Sequence, residues 1–268
     1  MRAWMIFILF LIFSPVAIAG QTPWQQVTDD AKLRLIFSDV ISGDGKTMAA
    51  LEIEMPQSSN TYWRLPGETG IPLTIDNAAS LDIGEITPIW PIPRREVLYG
   101  YVDYIYRGNF ILPMEIEVTG PSPELNLDLV LGVCSEVCVP VKVQISHSLV
   151  FEKRDASSAI RISQAIANTP IPWETGPSPI GSVVFDEKSR MLFVEVKDPE
   201  LDVSSIIATI GLEMAVFAPP QKSQIPGIYA FESLGDAETK NWRGQNVSLI
   251  FMSPQGPYEI SQLLEFSE

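Results

Sequence analysis

The two cysteines of the chain, Cys134 and Cys138, stand four positions apart and restrict how this region can fold. A fully extended strand would separate their Cα atoms by about 13 Å, because each residue rises about 3.3 Å. A disulfide needs a Cα separation of roughly 4.4–6.8 Å. The segment must therefore turn sharply if the sulfurs bond, and strand-like apolar sequence flanks it at 127–131 and 139–141. The pair is either a structural staple or a redox-active disulfide.

Residues 1–19 have the pattern of a secretory signal peptide. Arg2 supplies a positive start, residues 3–13 are almost wholly apolar, and Ala-Ile-Ala at 17–19 fits the small-x-small cleavage pattern. The apolar run is shorter than the roughly 20 residues that a spanning helix needs. The alternative is an uncleaved membrane anchor. We expect cleavage, no membrane span in the mature chain, and export to a bacterial periplasm.

The composition limits the kinds of partner. The chain of 268 residues carries a formal net charge of −15, and no basic stripe is visible. Such an acidic protein repels phosphate backbones, which argues against nucleic acid as a partner. Two cysteines in an exported protein can be oxidised, but they are too few for a disulfide framework. The length is enough for one large β domain or two ordinary ones.

Alternation of apolar and polar residues predicts an all-β chain. Period-2 patterns mark half-buried strands, and they occur at 32–35, 50–55, 114–118, 125–129 and 141–145. Short strands separated by Gly, Pro and Asn turns are typical of an immunoglobulin-like β-sandwich, which we place at residues 20–152. The patterns resume at 191–196, 213–217, 228–231 and 247–251. We therefore predict a second, smaller β-sandwich-like domain at 181–268.

The intervening residues, 153–180, have a different pattern. Apolar residues at 155–168 approach helical spacing, and Asp155 is suited to cap the N-terminus of a helix. Four prolines follow between residues 170 and 179, and proline cannot continue a helix. We predict a short helix, then a stiff proline-rich linker that marks a domain boundary.

Metal and hydrolytic chemistry find little support in the sequence. A structural zinc site needs four Cys, His or carboxylate ligands, and the chain contains two cysteines and one histidine, His147. His147 continues the alternation of the apolar residues at 141, 143 and 145, so we expect its side chain to point inward and pack. Cu(I) stays open because thiolates suit it, although the eight methionines are scattered. No G-x-S-x-G elbow occurs. We predict no metal site and no cofactor.

Physical arguments alone do not decide whether the cysteine pair is a structural staple or a redox-active disulfide. In the chain-entropy model, closing so small a ring stabilises a protein by only about 2 kcal/mol, and a tight ring is more easily reduced. Glu136 lies between the cysteines, with no Lys or Arg within three residues. A nearby carboxylate disfavours the thiolate. We therefore expect a disulfide that a partner's thiolate attacks, unless the fold brings Arg94 and Arg95 close.

Four motifs occur in order between residues 60 and 140. They are NTYWRLPGETGIP at 60–72, WPIPRR at 90–95, LYGY at 98–101 followed by LP at 112–113, and CSEVCVP at 134–140. Together they resemble the signatures of the DsbD-like N-terminal domains, particularly those of ScsB-type proteins, which share the C-x-x-x-C spacing.

The resemblance implies an immunoglobulin-like sandwich whose Cys134–Cys138 pair passes electrons between thiol-disulfide partners in the periplasm. A cap loop, here Glu96, Leu98 and Tyr99, would shield the pair until a partner docks. Leu98 stands where the better-known members carry a phenylalanine. In related domains the C-terminal cysteine forms the mixed disulfide, and that cysteine is Cys138 here.

Three further motif residues, Tyr62, Trp63 and Arg64, would support the site. Packing in the core is the alternative role for Tyr62 and Trp63, and an edge charge is the alternative for Arg64.

The leading hypothesis is a periplasmic thiol-disulfide oxidoreductase that exchanges with a thioredoxin-like or membrane-embedded partner. Full-length relatives carry a membrane electron carrier and a thioredoxin-like domain, and this sequence has neither, so we expect a separate reductase. The alternative is a non-catalytic periplasmic module that binds Cu(I) or a partner protein, in copper tolerance or cytochrome c assembly, with the disulfide as a staple. A third hypothesis is a purely structural pair of β-sandwiches.

Overall fold

The computed structural model describes residues 20–151, 156–174, 176–211, 215–235 and 239–267. The predicted signal peptide at 1–19 lies outside these residues. Within them, no helix is both long and apolar enough to cross a membrane.

The N-terminal sandwich (residues 20–151) is built of strands alone. In chain order they are β1 (Gln25–Gln26), β2 (Lys32–Ile41), β3 (Lys46–Glu54), β4 (Asn60–Gly67), β5 (Thr74–Asp76), β6 (Ile83–Pro88), β7 (Arg94–Leu98), β8 (Tyr101–Arg107), β9 (Phe110–Val118), β10 (Glu124–Cys134) and β11 (Cys138–Ser148).

Two sheets face each other in the N-terminal sandwich. The first has the strand order β1-β2-β3-β9-β6 and the second β11-β10-β4-β8-β7, with β5 added to β10. Alternate residues point between the sheets, so Leu33 and Leu35 of β2 share one core with Leu127 and Leu129 of β10. The predicted all-β, immunoglobulin-like fold is confirmed.

The single histidine of the chain is a packed residue, as its parity predicted. His147 of β11 stacks on Phe37 of β2, with ring centroids 4.7 Å apart. Burial lowers the pKa of His147, because a charged imidazole loses hydration between the sheets. The side chain therefore closes one end of the core as a neutral ring.

Helix α1 (Ala156–Ile166) packs on the outer face of the first sheet. Ile162 is buried against Ile36, which points away from the sandwich core because it alternates with the inward positions of its strand. Arg161 holds the carboxylate of Glu52, with 2.7 Å between Nη1 and Oε2. An apolar contact and an ion pair thus fix the helix to the sheet.

Part of the predicted linker is also packed structure. The helix ends at Ile166, before the first of the prolines, and β12 (Ile171–Pro172) then runs parallel to β20 (Gly256–Leu263) in the second half of the chain. The expected N-cap, Asp155, lies outside the described residues. The described part of 153–180 therefore touches both halves of the protein.

The C-terminal unit (residues 171–267) is also dominated by strands. They are β12, β13 (Ile180–Asp186), β14 (Met191–Val196), β15 (Ile207–Ile210), β16 (Val216–Phe217), β17 (Gln221–Lys222), β18 (Ile228–Leu234), β19 (Asn246–Ser253), β20 and β21 (Glu265–Phe266), with two short 3-10 helices at Val203–Ser205 and Thr239–Trp242.

Two sheets form the C-terminal unit as well. Their orders are β12-β20-β19-β15 and β16-β18-β14-β13-β21, with β17 added to β18. Trp242 is fully buried in the core between them, and its ring lies 4.8 Å from that of Phe185 and 5.9 Å from that of Phe217. Of the strand predicted at 213–217, residues 213 and 214 lie outside the described residues. The prediction of a second β unit is confirmed.

The two units meet in an apolar cluster of their own. It joins the inner face of β8 and the neighbouring β4 to β15, β16 and β19, through Trp63, Leu65, Val102, Tyr104, Tyr106, Ile207, Val216 and Ile250. The C-terminal unit therefore covers the part of the second sheet at β8.

Candidate functional site

The cysteines face each other at the open end of a β-hairpin. β10 and β11 pair without interruption from Glu124 and Ser148 to Cys134 and Cys138, and the loop between them is Ser-Glu-Val at 135–137. The Cα atoms of the two cysteines are 4.0 Å apart, and their sulfurs are bonded. The sharp turn expected from the spacing is therefore a hairpin that ends on the disulfide.

The two cysteines differ strongly in exposure. Cys134 is 3% exposed, because it also pairs with Asn60 of β4 inside the second sheet. Cys138 opens the edge strand β11 and is exposed, between the exposed side chains of Val137 and Val139. An attacking thiolate therefore has access to Cys138 and not to Cys134.

The hydroxyl of Tyr62 lies against both sulfurs. Its oxygen is 2.9 Å from Sγ of Cys134 and 3.2 Å from Sγ of Cys138. Bonded sulfurs carry no proton, so the tyrosine is the donor. Burial raises the pKa of Tyr62, and the carboxylate of Asp103 adds to that effect. Tyr62 is therefore a protonated donor aimed at the bond that exchange would break.

Two glycines make room for the Tyr62 ring. A Cβ atom at Gly70 would collide with Cδ1 of the ring, and one at Gly132 would lie 3.0 Å from Cδ2. The amide of Gly132 donates to the carbonyl of Ile71 at 3.3 Å, which holds the two segments together. Gly70 lies within the first sequence motif, but neither glycine was among the predicted site residues.

The predicted cap residues Leu98 and Tyr99 lie at the tip of the β7–β8 hairpin. Tyr99 and Gly100 have φ angles of 53° and 89°, and positive φ at both central residues is typical of a type I′ hairpin turn. Tyr99 is 92% exposed and Leu98 is 55% exposed. With both the tip and Cys138 exposed, shielding of the pair by this loop stays a prediction.

Glu96, the third predicted cap residue, lies on the sheet face that bears the disulfide. It pairs in register with Asp103 of β8, and Arg107 donates to its carboxylate at 2.6 Å. Arg107 in turn pairs with Asn60, the neighbour of Cys134. We call this face of β10, β4, β8 and β7 the redox face. Glu96 thus neutralises Arg107, whereas Arg94, which pairs in register with Ile105 on the same face, is exposed.

Trp63 and Arg64 do not join the redox face. Trp63 is 2% exposed and lies in the cluster between the two units, where its ring meets Tyr104 edge-on at 5.7 Å. The guanidinium of Arg64 lies 4.6 Å from the Trp63 ring. Of the three predicted supporting residues, the structure brings only Tyr62 to the sulfurs.

One comparison with known proteins gives a family match that spans this site. The family model described as "Thiol:disulfide interchange protein DsbD, N-terminal" matches residues 34–149, which include Tyr62, the cap residues and both cysteines. No curated protein matches the chain significantly.

A solved structure shares the fold across both units. It is the crystal structure of the N-terminal periplasmic domain of ScsB from Proteus mirabilis, with a TM-score of 0.70 and 19% identity, and the match covers 92% of this chain and 99% of that one. At this identity the match establishes the fold. Residues 34–149 belong to the family of DsbD N-terminal domains.

Proposed function

We propose that this protein is a periplasmic thiol-disulfide oxidoreductase whose Cys134–Cys138 bond accepts electrons from a partner dithiol. The observation that carries the proposal is the asymmetry of the bond. Cys138 is exposed, Cys134 is 3% exposed, and a buried tyrosine hydroxyl lies within 3.2 Å of both sulfurs. A bond that served only to staple a turn would need neither the exposed side nor the donor.

The asymmetry supports a different role for each sulfur. A thiolate of the partner attacks Sγ of Cys138, the S–S bond breaks, and its electron pair goes to Sγ of Cys134. The hydroxyl of Tyr62 donates a hydrogen bond to the thiolate that forms there. The second thiol of the partner then attacks the partner's own sulfur in the mixed disulfide and releases Cys138. The partner's two thiol protons end on the cysteines of this chain.

The charges around the pair favour an attacked disulfide over an attacking thiol. Arg94 lies exposed on the redox face, but on the edge strand β7, with β8 and β4 between it and β10. Arg95 lies on the opposite face of β7 and donates to the carbonyl of Ser204 in the C-terminal unit. Arg107 is engaged by Glu96, and Glu136 lies exposed in the loop between the cysteines. A thiolate at Cys138 therefore has little cationic stabilisation, which suits attack by a partner with a more acidic thiol.

The location and partner belong to the same proposal. The apolar N-terminal segment has the signal-peptide pattern, and the matched ScsB domain is described as periplasmic. A thioredoxin-like or membrane-embedded dithiol would supply the electrons. Roles in copper tolerance or cytochrome c assembly would follow from the identity of that partner.

Tyr62→Phe tests the proposed donor. Since a hydrogen bond to a charged group contributes about 1.5–3 kcal/mol, we expect the rate of disulfide reduction by reduced thioredoxin to fall about 10- to 100-fold. Stopped-flow tryptophan fluorescence measures this rate. Tyr106→Phe is the matched control, because its buried hydroxyl donates instead to the carbonyl of Pro91 at 2.6 Å. Equal rates for Tyr62→Phe and the wild type would exclude the role of donor.

A further inference from the structure

One strand connects the disulfide to the C-terminal unit. On the redox face of β8, Ile105 packs against Tyr62 and Cys134. Two residues away on the same face, Asp103 accepts the amide hydrogen of Thr69 at 2.9 Å. Any displacement of β8 therefore moves groups that touch the disulfide and its tyrosine.

The opposite face of β8 belongs to the contact with the C-terminal unit. Tyr104, which lies between Asp103 and Ile105 in sequence, is fully buried in the inter-unit cluster. Its hydroxyl donates to the carbonyl of Phe217 at 3.3 Å. Because side chains alternate along a strand, β8 presents one face to the disulfide and the other to the C-terminal unit.

Arg95 adds a polar clamp to this contact. It lies on β7 beside Tyr104, and its guanidinium donates to the carbonyls of Ser204, at 2.9 Å, and Ile206. These carbonyls lie at the C-terminal end of the 3-10 helix Val203–Ser205, where unpaired carbonyl oxygens favour a cation. A planar guanidinium that spans two acceptors fixes orientation as well as distance.

We propose that Arg95 is a positioning residue for disulfide exchange. It locks the β7–β8 hairpin to the C-terminal unit, so that the redox face meets a protein partner as one rigid surface. The inference rests on the proposed function and assigns a role to the C-terminal unit, which carries neither cysteine. A hairpin released from the clamp presents the correct surface for only part of the time, and the apparent affinity for a protein partner falls by that fraction.

The experiment compares a protein dithiol with a small dithiol on the mature chain. Reduced thioredoxin must dock on the redox face, whereas dithiothreitol needs only the exposed Cys138. For Arg95→Ala we expect KM for thioredoxin to rise at least about threefold, with kcat and the rate with dithiothreitol kept. Hydrogen exchange of the amides at 94–101 should quicken in parallel. Arg95→Lys keeps the charge but lacks a planar guanidinium that can span both carbonyls, so it should raise KM for thioredoxin by less.

The matched control is Arg161→Ala. It removes another half-buried arginine that joins two elements, here helix α1 to Glu52, on the far side of the sandwich. We expect wild-type kinetics with both dithiols. If Arg95→Ala does not fold, Arg95→Lys and Tyr104→Phe carry the test, since each keeps the packing and weakens one contact.

The outcomes separate this inference from the proposed function. An unchanged KM for thioredoxin in the Arg95 and Tyr104 variants, with an active wild type, overturns the inference alone. An equal fall in the rates of reduction by thioredoxin and by dithiothreitol would also overturn it, because such a fall indicates general damage around the disulfide. A wild type that reacts with neither dithiol overturns the proposed function.

Discussion

Cys134→Ser is expected to form a mixed disulfide with a protein partner, and Cys138→Ser is expected to form almost none. The retained thiol is exposed in the first variant and 3% exposed in the second, and only a reachable thiolate can attack. The partner is a thioredoxin variant that retains only the attacking cysteine of its active site. Thionitrobenzoate is bound to that cysteine as a mixed disulfide and serves as the leaving group. Attack by Cys138 forms the mixed disulfide and releases the thionitrobenzoate anion. The release should be at least about tenfold faster for Cys134→Ser.

The double serine variant is the control for this experiment, because it should release no thionitrobenzoate above background. A non-reducing gel identifies the covalent complex directly. Equal rates for the two single variants, or a faster rate for Cys138→Ser, would contradict the assignment of Cys138 as the attacked sulfur.

Trp63→Ala is expected to cause the largest loss of stability. The side chain is 2% exposed between the two units and meets Tyr104 edge-on. Truncation of a buried tryptophan removes its apolar contacts and leaves a cavity, at a cost of about 3–5 kcal/mol. Urea titration followed by circular dichroism measures the free energy of unfolding.

Trp24→Ala is the matched control, since Trp24 is only partly buried and lies under the guanidinium of Arg34 at 4.2 Å. We expect this substitution to lower the free energy of unfolding by about 1 kcal/mol or less. A loss of under about 1 kcal/mol in Trp63→Ala would mean that the contact between the units contributes little to stability.

The sequence predicted the strands well because their signal is local. The alternating residues at 125–129 and 141–145 lie within β10 and β11, and those at 191–196 coincide with β14. A spacing of four between two cysteines likewise required a turn. Which strands pair, and in which register, depends on contacts far apart in the chain and has no such local signal.

The arrangement around Tyr62 shows where prediction from the sequence ended. Tyr62 and Trp63 are neighbours in one motif, yet one lies against the sulfurs and the other between the units. This division depends on the pairing of β4 with β8 and β10, as does the approach of Gly70 and Gly132 to the ring. The motif predicted that both residues support the site, but only the strand pairing shows that Tyr62 contacts the sulfurs and Trp63 does not.

The segment at 153–180 gives a second example. Its prolines indicated where the helix ends, but nothing in the local sequence indicated what the helix packs against. Ile162 and Arg161 find their partners more than a hundred residues earlier in the chain, at Ile36 and Glu52. A linker that packs on both units is thus a tertiary feature.

The reduction potential of the Cys134–Cys138 bond tests the central claim most directly. The oxidised mature protein is equilibrated with glutathione buffers of known ratio, or with dithiothreitol buffers for lower potentials, and its free thiols are alkylated and counted by mass. An exchanging pair should be half reduced at a potential above about −300 mV. A bond that stays oxidised far below about −300 mV would contradict the account and identify the disulfide as a structural staple.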